Sequence, residues 1–311
     1  MVRYLGEDAT TYLHVLLKSN SISSLKPPNP VSMEYNKHIL CLYQGGGLGN
    51  NMFQYASMYA IAKSKGMRFV VPADFDLLNI FQLNATDIDH SGYLCDPKRV
   101  YTRPEKQCCA LDKNLIDFDN TSVIRLIWNL ASYYYFDKFS SDIRKQYTFV
   151  QHTQVKSQSL LNNIYNKHQI TCREKVPLIG VHVRRGDYVN HPQGYDVATK
   201  EYLHRAVSWF QSRYSNIHFI AASNGMQWTK LNLPKNISVS YLEGNTPAVD
   251  MAVLSSCDHM ISTVGTFSWW SAWLTGGNVT YYKWPTKEGT PIRQHFSKDY
   301  TDFFYPHWVG L

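Results

Sequence analysis

From Leu178 to Tyr282 the chain alternates short apolar runs with segments of helical period, which restricts it to an α/β architecture built on a parallel sheet. Leu178–Val183, Ile217–Ala221, Ile237–Tyr241, His259–Ser262 and Val279–Tyr282 read as strands. Between them Lys200–Phe210, Met226–Leu231, a stretch from Thr246 to about Ser256, and Phe267–Leu274 read as helices. Thr246-Pro247 gives the third of these an N-cap and a first-turn proline. A shorter signal of the same kind lies upstream. The apolar run His38–Tyr43 leads into Gly45-Gly46-Gly47-Leu48-Gly49-Asn50. Met52, Phe53, Ala56, Met58, Tyr59 and Ala62 then recur at helical spacing up to Gly66, before a strand at Arg68–Val71. Strand, glycine turn, helix and strand make one βαβ unit.

Residues 74–150 are less regular, and a polar boundary falls near 150–175. The expected organisation is an extension or linker at 1–37, an α/β domain at 38–170 and a second at 171–311. The two Rossmann-like domains would face a cleft at the carboxyl ends of their strands. No stretch approaches 18 consecutive apolar residues, and the first 30 residues lack the apolar core of a signal peptide. The chain therefore reads as cytosolic, or as one that has lost a membrane anchor.

The 31 basic and 24 acidic residues are intermixed, so the net charge of +7 forms no arm for nucleic acid and suits a small anionic ligand. Cys41 and Cys257 lie in apolar patterns and read as buried free thiols. Cys95, Cys108, Cys109 and Cys172 lie in loop-like stretches that allow one or two disulfides. Sequons at Asn84, Asn120, Asn236 and Asn278 suit a secreted chain, yet about two or three arise by chance at this composition.

The segment with most chemistry is Val181-His182-Val183-Arg184-Arg185-Gly186-Asp187-Tyr188, at the carboxyl end of a strand where ligands bind in open sheets. Alternation puts His182 and Arg184 on one face and Arg185 on the other. Arg184 offers a planar fork of donors suited to phosphate, while Arg185 and Asp187 read as an ion pair closing the turn. The glycine turn lacks a full G-x-G-x-x-G fingerprint, because Asn50 stands at its last position. It serves either as a tight turn or as a close backbone approach to a ligand. Asp250, in the first turn of its helix, either complements the dipole or accepts from two donors of a base such as guanine. Thr266 reads as an N-cap or, with Ser268, as part of an anion site at a helix start. Trp269, Trp270 and Trp273 read as core.

Gly46-Gly47-Leu48-Gly49-Asn50, His182-Val183-Arg184-Arg185-Gly186-Asp187-Tyr188 and Gly265-Thr266-Phe267-Ser268-Trp269-Trp270 together resemble the α-1,2-fucosyltransferases in order and spacing. Ser223-Asn224-Gly225-Met226-Gln227-Trp228 is similar to a stretch of the animal members, and the likeness covers roughly 38–285. The resemblance implies a GT-B-like fold, GDP-fucose as donor, no cofactor or metal, and a galactose-terminated glycan accepting fucose at O2 with inversion. It makes 38–170 the acceptor side and 171–311 the donor side. Arg184, Asn50 and Asp187 become the expected catalytic residues. His182, Arg184, Arg185, Asp250, Thr266, Phe267, Ser268, Gly47 and Gly49 become the expected donor-binding residues. It also implies the Golgi lumen, although the membrane anchor usual in the family is not readable here. Asn51 stands where glutamine is frequent, and His191-Pro192 stand where related enzymes carry a carboxylate base, so no base is assigned.

Two other readings compete. Asp74-Phe75-Asp76, Asp87-Ile88-Asp89 and Asp117-Phe118-Asp119 each fit the D-x-D signature of a metal-dependent glycosyltransferase, though three matches so close together suggest coincidence. A non-catalytic module that binds nucleotide sugar or glycan fits the same residues.

Overall fold

The computed structural model describes residues 38–83, 87–119 and 123–311; the expected extension at 1–37 and the sequons Asn84 and Asn120 lie outside them. Two parallel sheets carry the architecture. The first holds β1 (Ile39–Cys41), β2 (Arg68–Pro72), β3 (Asp87–Asp89), β4 (Tyr101–Pro104) and β5 (Val123–Ile127) in the order β3-β2-β1-β5-β4. The second holds β6 (Leu178–Val183), β7 (His218–Ser223), β8 (Val239–Tyr241), β9 (His259–Ser262), β10 (Val279–Tyr281) and β11 (Val309–Gly310) in the order β11-β10-β9-β6-β7-β8. The α-helices are α1 (Leu48–Lys65), α2 (Lys113–Ile116), α3 (Ser140–Gln146), α4 (Gln151–His168), α5 (Lys200–Gln211), α6 (Met226–Asn232), α7 (Pro247–Ser255) and α8 (Thr266–Thr275).

The strands and helices expected at 38–71 and 178–282 are present within a few residues, and Gly66 closes α1 in the left-handed region at φ 65°. The region expected to be irregular instead supplies three strands, one of which, β5, lies beside β1. The boundary near 150–175 is largely α4, an otherwise polar helix that buries the stripe Thr153, Ser157, Leu161 and Ile164 and packs on α7.

Helix α1 is buried nearly all round from Asn51 to Ala62, as expected of a helix inside the molecule rather than on its surface. It packs on α8, with the Phe53 ring centroid 4.6 Å from Trp269 and 4.9 Å from Trp270. Trp269, Trp270 and Trp273 are therefore core, as the sequence indicated. Cys257 is a buried free thiol, but Cys41 is not: it bridges from β1 to Cys95, 54 residues on. The burial read from its strand pattern was correct, and its partner comes from a distant loop.

Candidate active site

In an open parallel sheet a crevice opens beyond the strand ends where the strand order reverses. In the second sheet the reversal lies between β6 and β9. Every residue of β6 is buried, and the strand releases Arg184 just past its end. The Arg184 amide donates to Thr263 Oγ1 at 2.9 Å, its Nη2 pairs with Asp187 Oδ2 at 2.7 Å, and its guanidinium lies 4.8 Å from the Tyr188 ring centroid. The turn Gly186–Tyr188 thus folds Asp187 back to Arg184, not to Arg185 as the sequence suggested. Asp187 also accepts from Asn224 Nδ2 at 3.3 Å. Arg185 stacks over Trp228 at 3.7 Å and donates to the Ala198 carbonyl at 3.2 Å.

His182 is buried against Phe267, ring centroids 4.6 Å apart, and its Nδ1 has no partner among the described residues. Burial, reinforced by Arg184, pushes its pKa down to about 3, so the ring is neutral at physiological pH.

After β9 the chain turns through Gly265, whose φ of 92° is open to glycine and strained for other residues. Thr266 is then the first helical residue of α8 rather than its N-cap, and its Oγ1 donates to Asn50 Oδ1 at 2.7 Å. Ser268 is fully buried and accepts from the Thr263 amide at 2.9 Å. At the start of α1, Gly45 is held by Asn51 Oδ1 and Gln54 Oε1, each at 3.2 Å, and Gln54 Nε2 returns a bond to the Gly45 carbonyl. Gly49 faces the first turn of α8 so closely that a Cβ there would lie 2.5 Å from the Phe267 nitrogen. Thr246 caps α7 through the Val249 amide at 3.4 Å, as read from the sequence. Asp250 accepts from Asn245 Nδ2 at 3.0 Å, and burial raises its pKa against the lowering effect of that bond.

These elements enclose a hollow of about 250 Å³ walled by Gly47–Asn50, His182, Arg184, Tyr188, Pro247 and Val264–Phe267. The N-terminal ends of α1, α7 and α8 all meet it, each presenting partial positive charge; α7 does so through Pro247, so the N–H donors come from α1 and α8. No carboxylate among the described residues lines it. Of the expected residues, Gly47, Gly49, Asn50, His182, Arg184, Thr266 and Phe267 come together here, with Asp187 orienting Arg184 from outside. Arg185, Asp250 and Ser268 are not on the wall. Tyr188 is, although the sequence assigned it no role; its position next to Asp187 was the available signal.

None of the D-x-D aspartates lines the hollow; Asp76 lines a neighbouring cavity that shares Leu48 and Pro247 with it, and buried Asp89 accepts from Ser91 Oγ at 2.7 Å. No three His, Cys, Asp or Glu side chains among the described residues cluster in a way that could hold a metal ion.

The family model for glycosyl transferase family 11 matches residues 110–311. Galactoside alpha-(1,2)-fucosyltransferase 2 of Pongo pygmaeus is 30% identical over 275 residues, covering 86% of this chain and 77% of that protein. Galactoside alpha-(1,2)-fucosyltransferase 1 of Gorilla gorilla gorilla is 30% identical over 302 residues, covering 93% and 78%. Among solved structures, a mutant of Arabidopsis thaliana FUT1 in complex with GDP aligns with a TM-score of 0.51 at 10% identity, over 82% of this chain and 72% of that one. POFUT1 in complex with GDP aligns at 0.50 and 14%, over 79% and 98%. These structural likenesses establish a GT-B-like fold.

Proposed function

The chain belongs to glycosyl transferase family 11 and is a fucosyltransferase, and from that premise we propose that it transfers fucose from GDP-fucose to O2 of a terminal galactose. In this reading the transfer inverts the anomeric carbon and needs no metal. The carrying observation is the convergence of three helix N-termini and Arg184 on one hollow without a facing carboxylate. A diphosphate is the ligand that such a field favours. The complexes of structural relatives with GDP and the alpha-(1,2) relatives support the choice of nucleotide and linkage.

The acceptor hydroxyl oxygen bonds to C1 of fucose as the bond from C1 to the diphosphate breaks, through an oxocarbenium-like transition state, and the hydroxyl proton passes to solvent. Negative charge grows on the leaving oxygen. Arg184, held by Asp187 and Tyr188, and the α8 N–H groups meet that charge without reorganising; one such donor is commonly worth about 3–4 kcal/mol. Neutral His182 offers its free Nδ1 to the donor. Asn50, fixed by Thr266, stands beside the reacting carbon, where Gly47 leaves open space and Gly49 lets the start of α1 close on α8. Arg185, Asp250 and Ser268 act behind this wall: Ser268 shapes the start of α8, and Asp250 with Asn245 lies toward the base. Residues 171–311 hold the donor and 38–170 face the acceptor.

The Golgi lumen is the proposed compartment. The Cys41–Cys95 disulfide supports it, since such bonds persist where thiols are not kept reduced. Among the described residues no helix is long and apolar enough to cross a membrane.

A transfer assay with GDP-fucose and a panel of β-galactosides, run in EDTA, tests the proposal. Product fucosylated at galactose O2 is expected. Activity lost in EDTA and restored by manganese would overturn metal independence, and GDP-fucose binding without turnover on any acceptor would favour a binding module.

A further inference from the structure

The first sheet breaks its strand order between β1 and β5, which have β2 and β4 on their outer sides. The loops leaving those two strands are the glycine turn at 45–50 and the segment Trp128-Asn129-Leu130. β1 and β5 are paired in parallel, so these two loops emerge side by side. A narrow recess does open at this place. It shares Asn50, Tyr188, Val264, Gly265 and Thr266 with the donor hollow and continues to Asn129, Tyr195 and Phe296.

Asn129 is held in position at the expense of its neighbours. Trp128 has φ 89° and Leu130 φ 47°, both in the left-handed region that bulky side chains avoid. Such strain persists only where the surroundings fix it, and it gathers at ligand sites. The surroundings here are specific. Leu130 N–H donates to Glu105 Oε2 at 2.8 Å, Ser57 Oγ donates to the Leu130 carbonyl at 2.9 Å, and Ala131 N–H donates to the Cys108 carbonyl at 2.8 Å. Glu105 follows the end of β4, where its own amide bonds the Ile127 carbonyl at 3.2 Å. It is buried, and its Oε1 has no partner among the described residues. Burial pushes its pKa up to about 9, against the opposing pull of the Leu130 and Asn129 amides, so it carries a proton at neutral pH. A buried carboxyl kept at this expense is serving the loop that it holds. Trp128 itself remains half exposed, so the strain does not gain burial for its ring.

Resting on the fucosyltransferase reading above, we propose that the recess between the β1 and β5 loops takes an edge of the acceptor sugar. The Asn129 amide binds an acceptor hydroxyl beside Asn50, and Glu105 is the positioning residue that maintains the Trp128–Leu130 turn. Asn129 comes from the sheet that contributes only the start of α1 to the donor hollow, which assigns it to the acceptor rather than to the nucleotide sugar. The Tyr188 and Tyr195 rings, stacked with centroids 4.0 Å apart, line the same recess.

The test is a set of variants assayed for both substrates, with lactose as acceptor probe and GDP binding followed by calorimetry as the control for folding. Asn129→Ala is expected to raise the acceptor KM roughly ten- to hundredfold, the effect of losing a hydrogen bond in a desolvated site. Asn129→Asp, of the same size but without the NH₂ donors, is expected to raise it too. Glu105→Ala should raise the acceptor KM about tenfold, and Glu105→Gln, which keeps an oxygen for the Leu130 amide, should restore most of the loss. In all four the GDP-fucose KM and the GDP dissociation constant should stay within about twofold of wild type. An unchanged acceptor KM in an Asn129 variant that still binds GDP overturns the inference and leaves the proposed function standing. A rise in the donor KM instead assigns Asn129 to the donor sugar and also overturns it. Wild-type protein that binds GDP but transfers to no galactoside removes the underlying function, and the inference with it.

Discussion

Gly49→Ala would test whether the starts of α1 and α8 must meet as closely as they do. A Cβ at Gly49 would lie 2.5 Å from the Phe267 nitrogen, 2.5 Å from the Thr266 carbonyl carbon and 2.7 Å from Thr266 Oγ1. Ordinary contact needs about 3.5 Å. Two of the obstructing atoms are backbone in the first turn of a buried helix, so no side chain can rotate out of the way. The helix ends must part by about 1 Å, which stretches the Asn50–Thr266 bond from 2.7 Å to beyond hydrogen-bond range. Overpacking of this kind costs about 1–3 kcal/mol of stability. The catalytic loss should be larger in proportion, because a 1 Å misplacement at a reacting centre can remove roughly a hundredfold of rate. We expect kcat/KM for GDP-fucose to fall about a hundredfold, with a modest drop in Tm, in steady-state assays and thermal melts on the same preparation. A folded variant with wild-type kcat/KM would show that turnover does not need the two helix ends at this spacing, and would refute the use of Asn50 and Thr266 as one unit.

Three further perturbations follow from named contacts. Arg184→Lys replaces a fork held by Asp187 and Tyr188 with a point charge; kcat should fall about 10²–10³-fold, and near-normal turnover would remove Arg184 from the leaving group. Replacing Cys41 and Cys95 together by serine releases a closed loop of about 54 residues, which the chain-entropy model values at about 4 kcal/mol; denaturant melts that coincide with wild type would refute a stabilising role. Glu105 has a native pKa raised to about 9 from an ordinary value of 4.5, so its favourable contribution is complete below pH 4.5 and is lost as pH rises toward 9. Glu105→Gln should therefore flatten the decline of stability across that window, by up to about 1.4 kcal/mol per pH unit, and parallel wild-type and variant profiles would contradict it.

The legible parts of the fold were those whose signal is local. Strand β6 is buried on both faces, so it reads as an apolar run broken only by His182, and α1 ends at a glycine in the left-handed conformation that a helix stop requires. β3 and β4 gave no such signal. They are edge strands, Asp-Ile-Asp and Tyr-Thr-Arg-Pro, with mostly exposed side chains and little apolar content. β5 carries an arginine at its centre and is half-buried, so Val-Ile-Arg-Leu-Ile is no stronger than many loops. Its place beside β1 is set by pairing across more than 80 residues, as Ile39 with Val123, and nothing in either segment names the other. The same distance hid the partner of Cys41.

The site divides along the same line. His182, Arg184 and the glycine turn were readable because a strand end followed by glycine already says that ligands lie beyond it. What orients them was not. Alternation along the strand separated Arg184 from Arg185 correctly, but it has no bearing on the turn that follows, where Asp187 folds back to Arg184. Ser268 looked like a phosphate contact by its place in the first turn of α8, yet its hydroxyl is taken by the Thr263 amide that shapes the approach to Arg184. A crevice in an open sheet is made by the reversal of strand order, and order is the one property of a sheet that its strands do not carry individually. β6 and β9, on either side of the reversal, carry local strand signals; β5, beside β1, carries none. Asn129 stands two residues beyond the end of that strand, so its obscurity and that of the strand have one cause.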